Sequence, residues 1–126
     1  MTVAEIVKVL DAKVISGEDL LDRDVHSACG SDLMSDVLAF VKDQSVLVTG
    51  LTNAQAVRTA EMMDIVCIVL VRGKTADSGM IDLARDRSVV VLQTEYSMFT
   101  ACGLLYESGL RGGGGRANAK KFKAAL

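Results

Sequence analysis

The sequence predicts a three-layer α/β fold, in which a mostly parallel sheet of about five strands carries helices on both faces. Three observations support that prediction. Strand-like and amphipathic helix-like segments alternate from residue 46 to residue 109, the pattern of consecutive βαβ units. The strongest strand segment, residues 65–71, is apolar throughout and rich in β-branched residues, as expected of a strand covered on both faces. Aromatics make up only 4% of a chain that is 50% hydrophobic, so the core must be built from Val, Leu, Ile, Met and Ala. A length of 126 residues provides for one such core and not for two.

The elements follow in order. Thr2 with Glu5 has capping-box spacing, and Val3, Ile6, Val7 and Leu10 then recur at helical intervals. Residues 13–16 read as a short strand closed by Gly17, residues 20–24 as a connection, and residues 25–29 as a second short strand. Ser31 and Asp32 signal a helix entry, and the stripe Leu33, Met34, Val37, Leu38 and Val41 predicts a helix over 33–42. A buried strand over 46–49 ends at Gly50. Thr52 is placed to cap the next helix, with Gln55 three residues on and Val57, Ala60 and Met63 facing inward. After the 65–71 strand, Asp77 and Ser78 open a helix carrying Met80, Leu83 and Ala84. A strand over 89–92 leads to a last helix with Met98, Ala101, Cys102, Leu105 and Tyr106 along one side, stopped by Gly109. The strands joined by these helical crossovers should run parallel.

Charge is uneven along the chain. The total is −2, yet residues 111–126 hold Arg111, Arg116, Lys120, Lys121 and Lys123 with no acid, which leaves the body at −7. Residues 1–110 therefore read as the domain, and 111–126 as a glycine-rich linker and flexible basic tail. An acidic body argues against specific nucleic-acid binding. The longest apolar run, seven residues, is too short to span a membrane. The first residues lack the charged-then-apolar pattern of a secretory signal. Cys29, Cys67 and Cys102 are odd in number and far apart, which suits a reducing cytoplasm better than a disulfide framework or a zinc site.

The chemistry-bearing residues are few. There is one histidine, His26, and the chain has no phosphate-binding loop, dinucleotide fingerprint or nucleophile elbow. No catalytic residue, metal ligand or cofactor is assigned. In an open parallel sheet, ligands collect at the carboxyl ends of the strands. Those ends bring Gly50, Thr52 and Asn53, then Arg72, Gly73 and Lys74, then Thr94. Glycine, hydroxyl and amide groups at a helix start beside two cations suit a small anion such as a phosphate or carboxylate. The same residues also serve as ordinary caps, turns and solvated loop charges. Asp32, Met34 and Ser35 sit at the start of the 33–42 helix. They fit either a contact between two copies of the chain or plain core packing.

Five stretches form a familiar set: Ser31-Asp32-Leu33-Met34-Ser35-Asp36-Val37-Leu38, Thr49-Gly50-Leu51-Thr52-Asn53, Arg58-Thr59-Ala60-Glu61-Met62, Val71-Arg72-Gly73-Lys74 and Met98-Phe99-Thr100-Ala101-Cys102-Gly103. In this order they resemble the stand-alone DRTGG domain proteins of bacteria and archaea, over residues 1–110. The Asp-Arg-Thr-Gly-Gly pentapeptide itself is absent, since Asp22-Arg23 continues as Asp24-Val25. The resemblance implies an α/β module related to the amino-terminal domain of HPr kinase/phosphorylase. Relatives occur within phosphotransacetylases and between CBS domains of some pyrophosphatases, where they serve assembly or regulation. Stand-alone versions are often encoded beside iron-only hydrogenase components. The expectation is thus a cytoplasmic, homodimeric, non-catalytic module that binds a nucleotide or phosphometabolite. The alternative is a protein–protein adaptor for a redox enzyme such as an iron-only hydrogenase, or for a kinase, with no small ligand.

Overall fold

In the computed structural model, residues 1–40 and 42–112 are described. The chain runs α1 (Val3–Val9), β1 (Lys13–Ser16), β2 (Ser27–Gly30), α2 (Met34–Val37), β3 (Ser45–Thr49), α3 (Ala54–Met62), β4 (Ile65–Leu70), α4 (Ser78–Asp86), β5 (Val90–Gln93) and α5 (Met98–Glu107). The five strands form one sheet in the order β1-β5-β4-β3-β2. The pairs β2/β3, β3/β4 and β4/β5 are parallel, and β1 closes the β5 side antiparallel. The predicted fold class is therefore the observed one.

From β2 to β5 the strands advance in one direction across the sheet, so crossovers of constant hand put every connecting helix on one face. Met34 and Val37 of α2, Ala56, Val57 and Ala60 of α3, and Met80 and Ala84 of α4 pack there on Leu47, Ile68 and Val91. The chain changes faces only after β5. On the far side, Val3 and Ile6 of α1 with Ala101 and Leu105 of α5 cover Val46, Val48, Val69 and Leu92. Central strands β3 and β4 are buried along their whole length, which is why they read as unbroken apolar runs.

Local chemistry sets the helix ends. The Thr2–Glu5 capping box forms in full, with Thr2 Oγ1 accepting from Glu5 N and Glu5 Oε1 accepting from Thr2 N. At the other end of the chain, α5 stops at Gly109, whose φ of 111° is open to glycine and strained for other residues.

Two elements differ from expectation. The helix predicted over 33–42 is the four-residue α2, followed by turns in which Ala39 N donates to Asp36 O and Phe40 N to Val37 O. Of its predicted stripe, Met34 and Val37 are buried, Leu33 and Leu38 are 59% and 45% exposed, and Val41 lies outside the described residues. Among the described residues α2 has one turn of burial and no side-chain cap at Leu33, too little to extend a helix. The second strand starts two residues late. The Val25 amide donates to Met1 O and the His26 amide to Gln44 O, so neither joins the β2 ladder.

The predicted basic tail falls almost wholly outside the described residues. Arg111 does not: its carbonyl accepts from Ala28 N at 2.8 Å, and its guanidinium lies 3.8 Å from the centre of the Tyr106 ring. The chain is thus still held to the domain at residue 111.

Candidate functional site

At the end of β3, Thr49 Oγ1 donates to Asp32 Oδ1 at 3.1 Å and Gly50 N donates to the same oxygen at 2.5 Å. The Gly50 amide, at one of the strand ends expected to suit an anion, is thus bonded within the chain. A carboxylate from the β2–α2 loop already fills that position. Asp32, at the start of the predicted 33–42 helix, thus reaches the strand-end rim while remaining exposed. Any side chain at Gly50 would crowd this rim, since a Cβ there would sit 3.3 Å from Asp32 Oδ1 and 3.5 Å from Arg72 Nη2.

Beyond β4, Arg72 and Gly73 take left-handed conformations in succession, with φ of 56° and 65°. Backbone bonds from Arg72 N to Tyr96 O and from Gly73 N to Thr94 O pin them to the end of β5, and Gln93 Nε2 donates to Gly73 O. The Glu95 carboxylate lies over Gly73, so a Cβ at that position would come within 2.6 Å of Glu95 Oε2. Arg72 and Lys74 are exposed, and neither makes an ion pair among the described residues. The loop is well fixed and its cations are open to solvent.

The next loops start two helices side by side. Asn53, not Thr52, is the N-cap of α3, its Oδ1 accepting from Gln55 N at 3.0 Å. Thr52 sits one residue earlier, and its carbonyl takes the Asp77 amide at 3.0 Å. That bond ties the start of α3 to the start of α4, where Asp77 Oδ1 accepts from Met80 N at 2.7 Å. Between the two starts lies an open cavity of about 460 Å³ lined by Asn53, Ala54, Gln55, Arg58, Asp77, Ser78 and Gly79. Arg58 makes no ion pair among the described residues. The positive ends of two helices and Arg58 thus line one cavity, together with Asp77.

The structure therefore sorts the predicted residues. Gly50, Arg72 and Gly73 come together at the rim with Lys74 on the same loop, Asn53 lines the neighbouring cavity, and Thr52 links its two walls. Thr94 belongs to neither. It is 1% exposed, and its hydroxyl donates to Leu10 O at 2.7 Å and accepts from Tyr96 N, so it fastens α1 to the sheet. Met34, at 5% exposure, takes the core-packing alternative, while Asp32 and Ser35 beside it are exposed. Arg58, Ser78 and Gly79 were missed. The available signal was spacing, because Arg58 lies one helical turn beyond Ala54 on the same face.

At the opposite edge of the sheet, His26 Nδ1 lies 3.2 Å from Asp43 Oδ1 and Nε2 lies 3.6 Å from Asp24 Oδ2. Among the described residues no group of three or more His, Cys, Asp and Glu side chains is arranged to hold a metal ion. Among the same residues no helix is long and apolar enough to cross a membrane.

A family model described as the DRTGG domain matches residues 5–108. No curated protein matches the chain. Among solved structures, the fold is similar to the CBS and DRTGG domains of the regulatory region of Clostridium perfringens pyrophosphatase, a structure complexed with the activator diadenosine tetraphosphate. The TM-score is 0.65 at 17% identity, and the match covers 82% of this chain but 45% of that one. The likeness is one of fold, and this chain spans less than half of that regulatory region.

Proposed function

The chain belongs to the DRTGG domain family, and on that premise we propose that it is a cytoplasmic regulatory module, acting as a homodimer, that binds a small anionic ligand and does no chemistry itself. The ligand class is a nucleotide or phosphorylated metabolite. The observation that carries this reading is the cavity between the starts of α3 and α4, lined by Arg58 and by the first-turn residues Ala54, Ser78 and Gly79, with Asp77 beside them. A phosphate group seated there would be held by backbone N–H groups and one guanidinium, with Arg72 and Lys74 on the loop that leads into α4. A neighbouring fold that is a regulatory region bound to a dinucleotide activator supports the same class of ligand.

Thermal unfolding with AMP, ATP, diadenosine tetraphosphate and inorganic phosphate tests the proposal. At 100-fold excess over its dissociation constant, a true ligand stabilises the fold by ~2.7 kcal/mol. Arg58→Ala should cut that response without lowering the ligand-free melting temperature, because Arg58 is exposed. The double change Arg72→Ala with Lys74→Ala should weaken it further. Melting that no compound in the panel shifts would overturn the assignment of a nucleotide or phosphate ligand.

A second reading, an adaptor for a redox enzyme or a kinase, has its own support. Leu33 and Leu38, beside α2, are exposed apolar side chains that no other described residue buries. Retention of one defined partner enzyme by the immobilised protein, lost on Leu38→Asp, would favour it.

A further inference from the structure

Helix α5 is apolar nearly all round. From Tyr96 to Tyr106 the sequence carries no Asp, Glu, Lys, Arg or His, yet only Ala101 and Leu105 of the helix are buried. Phe99 is 89% exposed, Tyr106 is 54% exposed and Tyr96, just before the helix, is 40% exposed. Phe99, Gly103 and Tyr106 lie at i, i+4 and i+7, so they share one face. At Gly103 a Cβ would meet nothing within 4 Å, which leaves a gap between two aromatic side chains. Arg111 fixes one of them: its guanidinium stacks on the Tyr106 ring and donates to Tyr106 O and Leu110 O.

We propose that this face of α5 is where two copies of the chain meet, with the two α5 helices antiparallel and crossing beside Gly103. The proposal rests on the homodimeric reading above and supplies its surface, in place of the α2 region. Three arguments favour a second copy as the occupant. A two-fold axis beside Gly103 sets Phe99 of each copy against Tyr106 of the other, so one patch complements itself. The body of the domain carries −7, and the uncharged stretch 96–106 is where two such bodies can touch without apposing like charges. The area also fits: the three aromatics expose roughly 350 Å² per copy. Doubled, and with the exposed Thr100 and Gly103 beside them included, this approaches the roughly 1,000 Å² at which specific association begins. A ring held by Arg111 in advance loses less entropy on docking.

Sedimentation equilibrium of the full chain from micromolar to millimolar concentration tests this. The wild type should self-associate reversibly to a dimer. Phe99→Asp should raise the dimer dissociation constant by roughly 30-fold or more, as expected of a central aromatic contact. Met62→Asp, on the 58% exposed Met62 of α3, should leave it unchanged. Circular dichroism confirms that each variant folds, and Phe99→Ala gives a milder change in the same direction. A Phe99→Asp protein that dimerises like the wild type would overturn the surface while leaving the homodimer. A wild type that stays monomeric throughout would overturn both. Neither result bears on the nucleotide response, which is read separately by melting.

Discussion

Thr94 and Ser16 carry buried hydroxyls in opposite circumstances. The Thr94 hydroxyl joins the end of β5 to the last carbonyl of the α1 turn, Leu10 O. Thr94→Val keeps the shape but leaves that carbonyl unpaired, and chemical denaturation should show a loss of ~1–3 kcal/mol. Ser16 Oγ is buried and has no hydrogen-bond partner among the described residues. Ser16→Ala removes that desolvated group, so the same measurement should show a gain of ~1 kcal/mol. The cysteines add a pH dependence. Burial, with smaller contributions from Cys102 and Asp36, pushes the Cys29 thiol up to about 11, and burial pushes the Cys67 thiol up as well. A thiol held above its ordinary value of 9.0 contributes stability that is complete below pH 9 and lost as pH rises through 11. Unfolding midpoints should therefore fall between pH 9 and pH 11, and Cys29→Ala should flatten that fall. A wild-type midpoint constant over this range would contradict the burial argument. Thr94 also shows why residue roles at a strand end are hard to read from sequence. Its position marks it as a site residue, but its orientation is decided by Leu10, 84 residues away.

At the scale of elements, what could be read in advance depended on whether the decisive partner was local. The Thr2–Glu5 box and the Asp77 cap involve residues three apart, and both form as the sequence predicts. The buried strands β3 and β4 were legible because both of their faces are apolar, whichever helices cover them. The length of α2 was not legible. Its apolar stripe is a good helical pattern, but among its described residues the structure buries Met34 and Val37 and leaves Leu33 and Leu38 exposed, and a stripe without a partner does not extend a helix. The choice between Thr52 and Asn53 as cap was equally hidden, because it turns on the Asp77 amide claiming Thr52 O. Gly17 offers a test at this scale. Its φ is 90°, and a Cβ there would lie 2.9 Å from Val90 Cγ2, where β1 leaves the sheet. Gly17→Ala should destabilise the protein by more than ~1 kcal/mol, through both the positive φ and the clash. A melting temperature equal to that of the wild type would show that the turn rearranges freely.

For the whole molecule, the order of strands matters most. A sheet whose parallel strands advance one way has no reversal between them, so it lacks the cleft between helices on opposite faces that doubly wound folds use for dinucleotides. Anything held at the carboxyl edge must instead rest on the helix starts of one face, and α3 and α4 present theirs together. Sequence periodicity predicted the class of the fold but not this winding. Which strand lies beside which is settled by pairings such as Lys13 with Gln93, far apart in the chain. The same distance dependence explains why the strand-end glycines and cations were identifiable while Asp32, which fills the Gly50 amide, was assigned elsewhere.

Calorimetric titration of the full chain with ATP and the other nucleotides, on the wild type and on Arg58→Ala, tests the regulatory ligand-binding account most directly. The account predicts saturable binding of one ligand per chain for at least one nucleotide. Arg58→Ala should bind that ligand about tenfold or more weakly, a difference of ~1.4 kcal/mol. Heats indistinguishable from dilution across the nucleotides, or equal affinity for the two proteins, would contradict it.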